Sequence, residues 1–126
     1  MSFNGFGKEG AAALGLVLKE NNILEDLNVS NNRIPPEGAI YLATGLKVNK
    51  TLKSLNVGKN PIQNGGCFRI LKAVHENPSS ALESFNCSDI PINQDFEDLY
   101  TRVKENFPLL RVNHGGRIGS FRKAKA

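Results

Sequence analysis

The chain lacks most of what an enzymatic or metal-dependent function requires. It has two cysteines, Cys67 and Cys87, and two histidines, His75 and His114. None of them falls in a CxxC or Cys/His spacing that would hold zinc, so no metal site and no cofactor are expected. No GxSxG, phosphate-loop or HExxH motif occurs. The acidic neighbours Glu97 and Asp98 are adjacent on a helical stretch and diverge, so they cannot flank one substrate bond. Glu25 and Asp26 read the same way, as solvated charges. The chain is read as a non-enzyme. No apolar run approaches the ~20 residues of a membrane span, and Met1 to Gly10 lack the basic start and apolar centre of a signal peptide. A reduced, cytoplasmic chain is the simplest expectation.

Acidic residues are also absent from the last ten positions, where Arg117, Arg122, Lys123 and Lys125 account for the whole net charge of +4. Removing those four leaves 12 basic against 12 acidic side chains in residues 1–116. A body without net charge argues against a domain-wide nucleic-acid surface. The basic residues around Phe121 have a composition that could attach to acidic protein, lipid or RNA, but four charges on a glycine-containing end read first as a solvated, flexible tail spanning 115–126.

What is present is a repeat. Asn4, Phe6, Gly10, Leu14, Leu18 and Asn21 return 28 positions later as Asn32, Ile34, Gly38, Leu42, Leu46 and Asn49. A further 28 positions give Asn60, Ile62, Gly66, Ile70, Val74 and Asn77. Each unit switches period. Leu27–Asn28–Val29 alternates as a short half-buried strand does, whereas Ala39, Leu42, Ala43 and Leu46 lie on one face of a helix. Pro35 and Pro36 suit the first helical turn. Asn49 is expected to end the helix in the left-handed region, which asparagine tolerates. Strand, loop, helix and return loop within one unit make successive strands parallel.

One unit cannot bury its own apolar face, whereas stacked units can. Helices are wider than paired strands are spaced, about 10 Å against about 4.8 Å, so the stack curves with its strands inside. The fold class is α/β, a solenoid in a short horseshoe arc, with a parallel concave sheet and convex helices. The repeat domain is placed at 1–114: a partial repeat at 3–23, repeats at 24–51, 52–81 and 82–108, and a terminal strand at 109–114 built on Leu109, Val112 and His114. A helix is predicted over Gln94–Asn106 with Phe96, Leu99 and Val103 inward. Ile90 and Asp95 break the asparagine and glycine columns there, as a terminal cap would. At the other end no strand precedes the first helix. The strand at 27–30 is therefore expected to be an exposed edge, belonging to a fragment of a longer array or covered by self-association.

The segments Leu24–Leu27–Val29–Asn32–Ile34 and Leu52–Leu55–Val57–Asn60–Ile62 resemble leucine-rich repeats of the ribonuclease-inhibitor type. The run Phe3 to Gly15 and the Asn60–Pro61–Ile62 loop are similar to the C-terminal part of the vertebrate leucine-rich repeat-containing protein 74 group. Leu52 to Ile62 is more distantly similar to the C-terminal repeats of tropomodulin, which cap actin filaments. The resemblance implies an intracellular scaffold that recognises protein on its concave sheet. Such repeats also occur in innate-immune receptors and in the activating protein of the Ran GTPase.

Alternation along the strands places Asp26, Asn28 and Ser30 on that sheet face, followed by Ser54, Asn56 and Gly58, then Ser84, Asn86 and Ser88, with Arg111 and Asn113 continuing the rows. These are the candidate partner-binding residues, with Asn28, Asn56, Asn86 and Asn113 in one column. The expected partner is a protein of unspecified identity, with no nucleic acid and no membrane span. Docking of the array end and basic tail to a filament or complex is the alternative. Asn32 and Asn60 are expected to bond loop backbone, and Cys67 and Cys87 to serve as small core residues. His75, opposite the apolar stripe, is expected in solvent.

Overall fold

The structure, a computed structural model, describes residues 7–116. Helices and strands alternate along the chain: α1 (Gly7–Glu20), β1 (Asp26–Asn28), α2 (Pro36–Leu46), β2 (Ser54–Asn56), α3 (Gln63–His75), β3 (Ser84–Cys87), α4 (Gln94–Asn106) and β4 (Arg111–His114). The strands form one parallel sheet in the order β1-β2-β3-β4. Its register aligns Leu27, Leu55, Phe85 and Val112 in one row. The helices pack in the same order behind the sheet. Between the two layers lies one core, with Leu27, Val29, Ile34, Leu42, Leu55, Ile70, Phe85 and Phe96 fully enclosed.

Local chemistry sets the helix ends. Pro36 opens α2, where no intrahelical partner is needed for its missing N–H. Asn93 caps α4, its Oδ1 accepting the Phe96 N–H at 3.1 Å, and Asp95 and Glu97 complement the helix dipole in the first turn. The helix predicted over 94–106 has those bounds, and Phe96, Leu99 and Val103 are buried.

Four local readings need correction. Asn49 is not left-handed; that conformation falls on the strand exits Asn31, Lys59 and Asp89, with φ of 57°, 57° and 63°, and on Arg33 in the loop before α2 and Gln63 at the start of α3. The helix before Asn49 instead closes through right-handed Lys47, and Asn49 turns its side chain inward. In the last unit Leu110, not Leu109, enters the core, and Leu109 is 73% exposed. Pro108 follows the end of α4, and the Leu110 N–H bonds the Phe107 carbonyl in a tight turn that moves the inward position by one residue. Gly115 and Gly116 are held against the preceding loop, with Gly115 N–H to Ile90 O at 3.0 Å and Ile92 N–H to Gly116 O at 2.9 Å, so the bonded array runs past the expected end at 114. His75 is half-buried rather than solvent-exposed. The first members of the repeat columns, Asn4 and Phe6, and the basic end from Arg117 to Ala126 lie outside the described residues.

Candidate protein-binding face

Two asparagine ladders hold the strands and loops in register, and they decide what the sheet can present. At the strand exits, Asn60 Oδ1 accepts the N–H groups of Asn32 and Ile34 at 2.8 and 3.1 Å. Its Nδ2 donates to the carbonyls of Val29, Val57 and Gly58. One buried side chain thus satisfies backbone groups of two repeats. At the helix exits, Asn49 Nδ2 donates to Leu18 O and Asn21 O, and Asn77 Nδ2 repeats this one unit on with Leu46 O and Asn49 O. Asn49 Oδ1 meanwhile accepts from Thr51 and Leu52. The helix-exit ladder joins consecutive repeats, a role that the expected left-handed stop did not include. A signal was available: these asparagines recur at the repeat period in an otherwise apolar environment.

Against this frame the sheet face is built from alternate strand residues. The register pairs Asp26, Ser54, Ser84 and Arg111 in one row and Asn28, Asn56, Asn86 and Asn113 in the next. Asp26, Arg111 and Asn113 are exposed, and the others are half-buried. Each of the first three asparagines folds back on its own strand. Asn28 Oδ1 accepts from Ser30 N and Oγ at 3.0 and 2.7 Å, Asn56 Oδ1 from Gly58 N at 2.9 Å, and Asn86 Oδ1 from Ser88 N at 2.8 Å. Gly58 is required between the two serines, since a Cβ there would overlap the Ser88 hydroxyl. Of the expected face residues, Asp26, Asn28, Ser54, Asn56, Ser84, Asn86, Arg111 and Asn113 share these two rows, Ser30 and Ser88 follow their strands, and Gly58 is buried.

The remaining reactive groups are placed unproductively. Cys67 and Cys87 are both free and fully buried. Hydrogen bonding with Cys87, reinforced by burial, pushes the Cys67 thiol far above its ordinary range, so it stays protonated and unreactive. His114 does acquire partners that its sequence position did not reveal. Its Nε2 lies 3.7 Å from Glu97 Oε1, its Nδ1 accepts the Gly116 N–H at 3.0 Å, and its ring stands edge-on to Phe96. These contacts fasten the last strand to α4. Glu97 and Asp98 diverge, with Asp98 taking a bond from Gln94 at 2.9 Å. Among the described residues no cluster of His, Cys, Asp or Glu could hold a metal, and no helix is long and apolar enough to cross a membrane. On the helix side lie two inter-helix grooves. One of about 200 Å³ lies between α2 and α3 beside Lys47 and Glu76, and one of about 420 Å³ between α3 and α4 beside Phe68, Arg69 and Asp95.

A parallel sheet with one open polar face, backed by helices and laced by asparagine ladders at the repeat period, is a leucine-rich-repeat solenoid. The family described as Leucine Rich repeat matches residues 20–43 and 48–71. Human leucine-rich repeat-containing protein 74B is 47% identical over 58 residues, covering 46% of this chain and 15% of that protein. The chain therefore matches only a small part of that relative's length. Among solved structures, leiomodin-1 actin-binding site 2 is similar in fold, with a TM-score of 0.72 at 20% identity over 98% of this chain and 74% of that one.

Proposed function

We propose that this chain is a non-catalytic protein-recognition module, and that its partner binds across the open sheet face. The observation that carries this reading is the row Asn28, Asn56, Asn86 and Asn113, aligned by the strand register and at least partly open to solvent. Polar groups already fixed in place bind without a large ordering cost. The test is selection of a displayed random-peptide library on the chain, counter-screened with Asn56→Arg and Asn86→Arg. Selected peptides should lose binding to both variants while melting temperatures stay within about 2 °C of the parent, as substitutions on an open face should leave them. Peptides that bind parent and variants equally would sink the reading.

A second reading is assembly through the end of the array. It is favoured by β1, whose outer edge is unpaired among the described residues, and by the actin-binding name of the leiomodin-1 neighbour. A second chain or a filament would dock at that edge. Sedimentation velocity over a range of concentrations and co-sedimentation with actin filaments test it. A monomer at all concentrations that stays in the supernatant excludes it.

A further inference from the structure

The sheet face is chemically one-sided in a way that specifies the partner. In each of Asn28, Asn56 and Asn86 the side-chain oxygen is committed to the N–H two residues on. Turning any of these amides over would set an NH₂ group against that N–H and lose the bond, so the network fixes the orientation. The Nδ2 groups meet no acceptor among the described residues, and they are not sealed in the interior. The column therefore presents free hydrogen-bond donors on β1, β2 and β3, while each of its three oxygens is turned to its own strand and engaged there. At the ends of the adjoining row stand Asp26 on β1 and Arg111 on β4, both exposed and neither in an ion pair among the described residues. The face thus runs from an acid, over neutral serines, to a base.

Spacing distinguishes between partner shapes. Donors recur at the strand separation, about 4.8 Å. Side chains on one face of a helix recur about every turn, 5.4 Å. Same-face side chains of an extended segment recur about every 6.7 Å and fall out of step after two strands. Three strand steps, about 14 Å, match fewer than three helical turns.

Resting on the reading of the sheet as the binding face, we propose that its partner is an α-helix laid across the strands. That helix carries a stripe of carboxylates at three- and four-residue spacing along the asparagine column, with its acidic end over Arg111 and a basic residue over Asp26.

The test uses two synthetic alanine-based helical peptides of about 20 residues, one with a Glu stripe and a terminal Lys, the other with the charges inverted. Asn56→Asp/Asn86→Asp is the decisive variant. Each carboxylate still accepts the Gly58 or Ser88 N–H, so the fold is retained, as a melting curve will verify, but the donors are gone. The Glu peptide should bind the parent chain and shift the side-chain amide resonances of Asn28, Asn56 and Asn86. It should bind the double variant at least about tenfold more weakly, and the Lys peptide should show the reverse preference. Equal binding of both peptides to the parent, no binding of either, or undiminished binding of the Glu peptide to the double variant overturns the proposal. The two readings fail separately. Library peptides blocked by Asn56→Arg but indifferent to Asn56→Asp/Asn86→Asp would keep the face and discard the carboxylate helix. Library peptides indifferent to Asn56→Arg would discard the face itself.

Discussion

The two ends of the array solve the same problem in opposite ways. At the N-terminal end, α1 and β1 are built as interior elements: Gly15 and Gly45 bring α1 and α2 into backbone contact, and Val17 and Ile23 stand exposed. Asn32 Oδ1 is buried without a partner among the described residues, although its counterpart Asn60 Oδ1 accepts two N–H groups from the preceding repeat. At the C-terminal end the repeat chemistry has been replaced. Ile90 fills the asparagine column, Asp95 is exposed whereas Gly38 and Gly66 are buried, and Tyr100 and Lys104 reach across to the final turn. The last repeat is thus closed by its own side chains, whereas the first described repeat keeps the chemistry of the interior ones.

The largest expected effect comes from the asparagine column. Asn60→Ala removes five bonds and orphans buried backbone groups in two repeats, and should cost about 3–5 kcal/mol. Asn32→Ala loses only two donated bonds, and Val29 O keeps Asn60, so about 1–2 kcal/mol is expected. Urea denaturation measures both. Equal costs would mean that Asn32 is as fully engaged as an interior asparagine, and the contrast between open end and interior would fall.

Helix packing comes next. A Cβ on Gly45 would overlap the Gly15 carbonyl and stand 2.8 Å from Leu18 Cβ, so Gly45→Ala must part α1 from α2, at about 2–3 kcal/mol. Gly65 in α3 has nothing within 4 Å of such an atom, and Gly65→Ala should stabilise by about 0.5–1 kcal/mol through helix propensity. A smaller effect is expected at the closed end. Tyr100→Phe removes a 3.1 Å bond to Leu110 O that Lys104 Nζ duplicates at 3.2 Å. The single change should cost about 0.5–1 kcal/mol, and Tyr100→Phe/Lys104→Met more than the two singles together. Strict additivity would mean that the two donors do not share the closure.

These contrasts separate what the residues disclose from what they conceal. The repeat period, the strand parity and the bounds of α4 follow from apolar spacing alone, because burial on one face dictates that spacing. So does the row of Asn28, Asn56, Asn86 and Asn113, which parity puts on the open side of the sheet. The direction of each amide was hidden, because it depends on a bond to the N–H two residues ahead. Gly15 and Gly45 were equally unreadable as close contacts, since α1 and α2 must be placed before their glycines can be seen to meet. The shift from Leu109 to Leu110 escaped the pattern because the turn after α4 breaks the period on which the pattern relies. Helical phase alone sends His75 to solvent, whereas its side chain is half-buried.

The smallest expected effect asks whether anything along the array ignores the difference between its ends. Asn31, Lys59 and Asp89 occupy one column, immediately after the strand-face residues, and all three are left-handed. The conformation is imposed by the ladder: Asn31 N–H bonds Gly58 O at 3.0 Å and Lys59 N–H bonds Ser88 O at 2.9 Å, so the strand exit must turn the same way in each repeat. Asparagine and aspartate tolerate that region and lysine does so less well. Lys59 is exposed, so its side chain offers no buried contact in exchange. Lys59→Asn should therefore raise stability by about 0.5 kcal/mol, and Asn31→Lys should lower it by a similar amount. Matching magnitudes of opposite sign would make this turn a property of the repeat itself. A milder response at Asn31 would show that the open end relaxes the strand exit as well, extending the contrast between the ends from side chains to backbone.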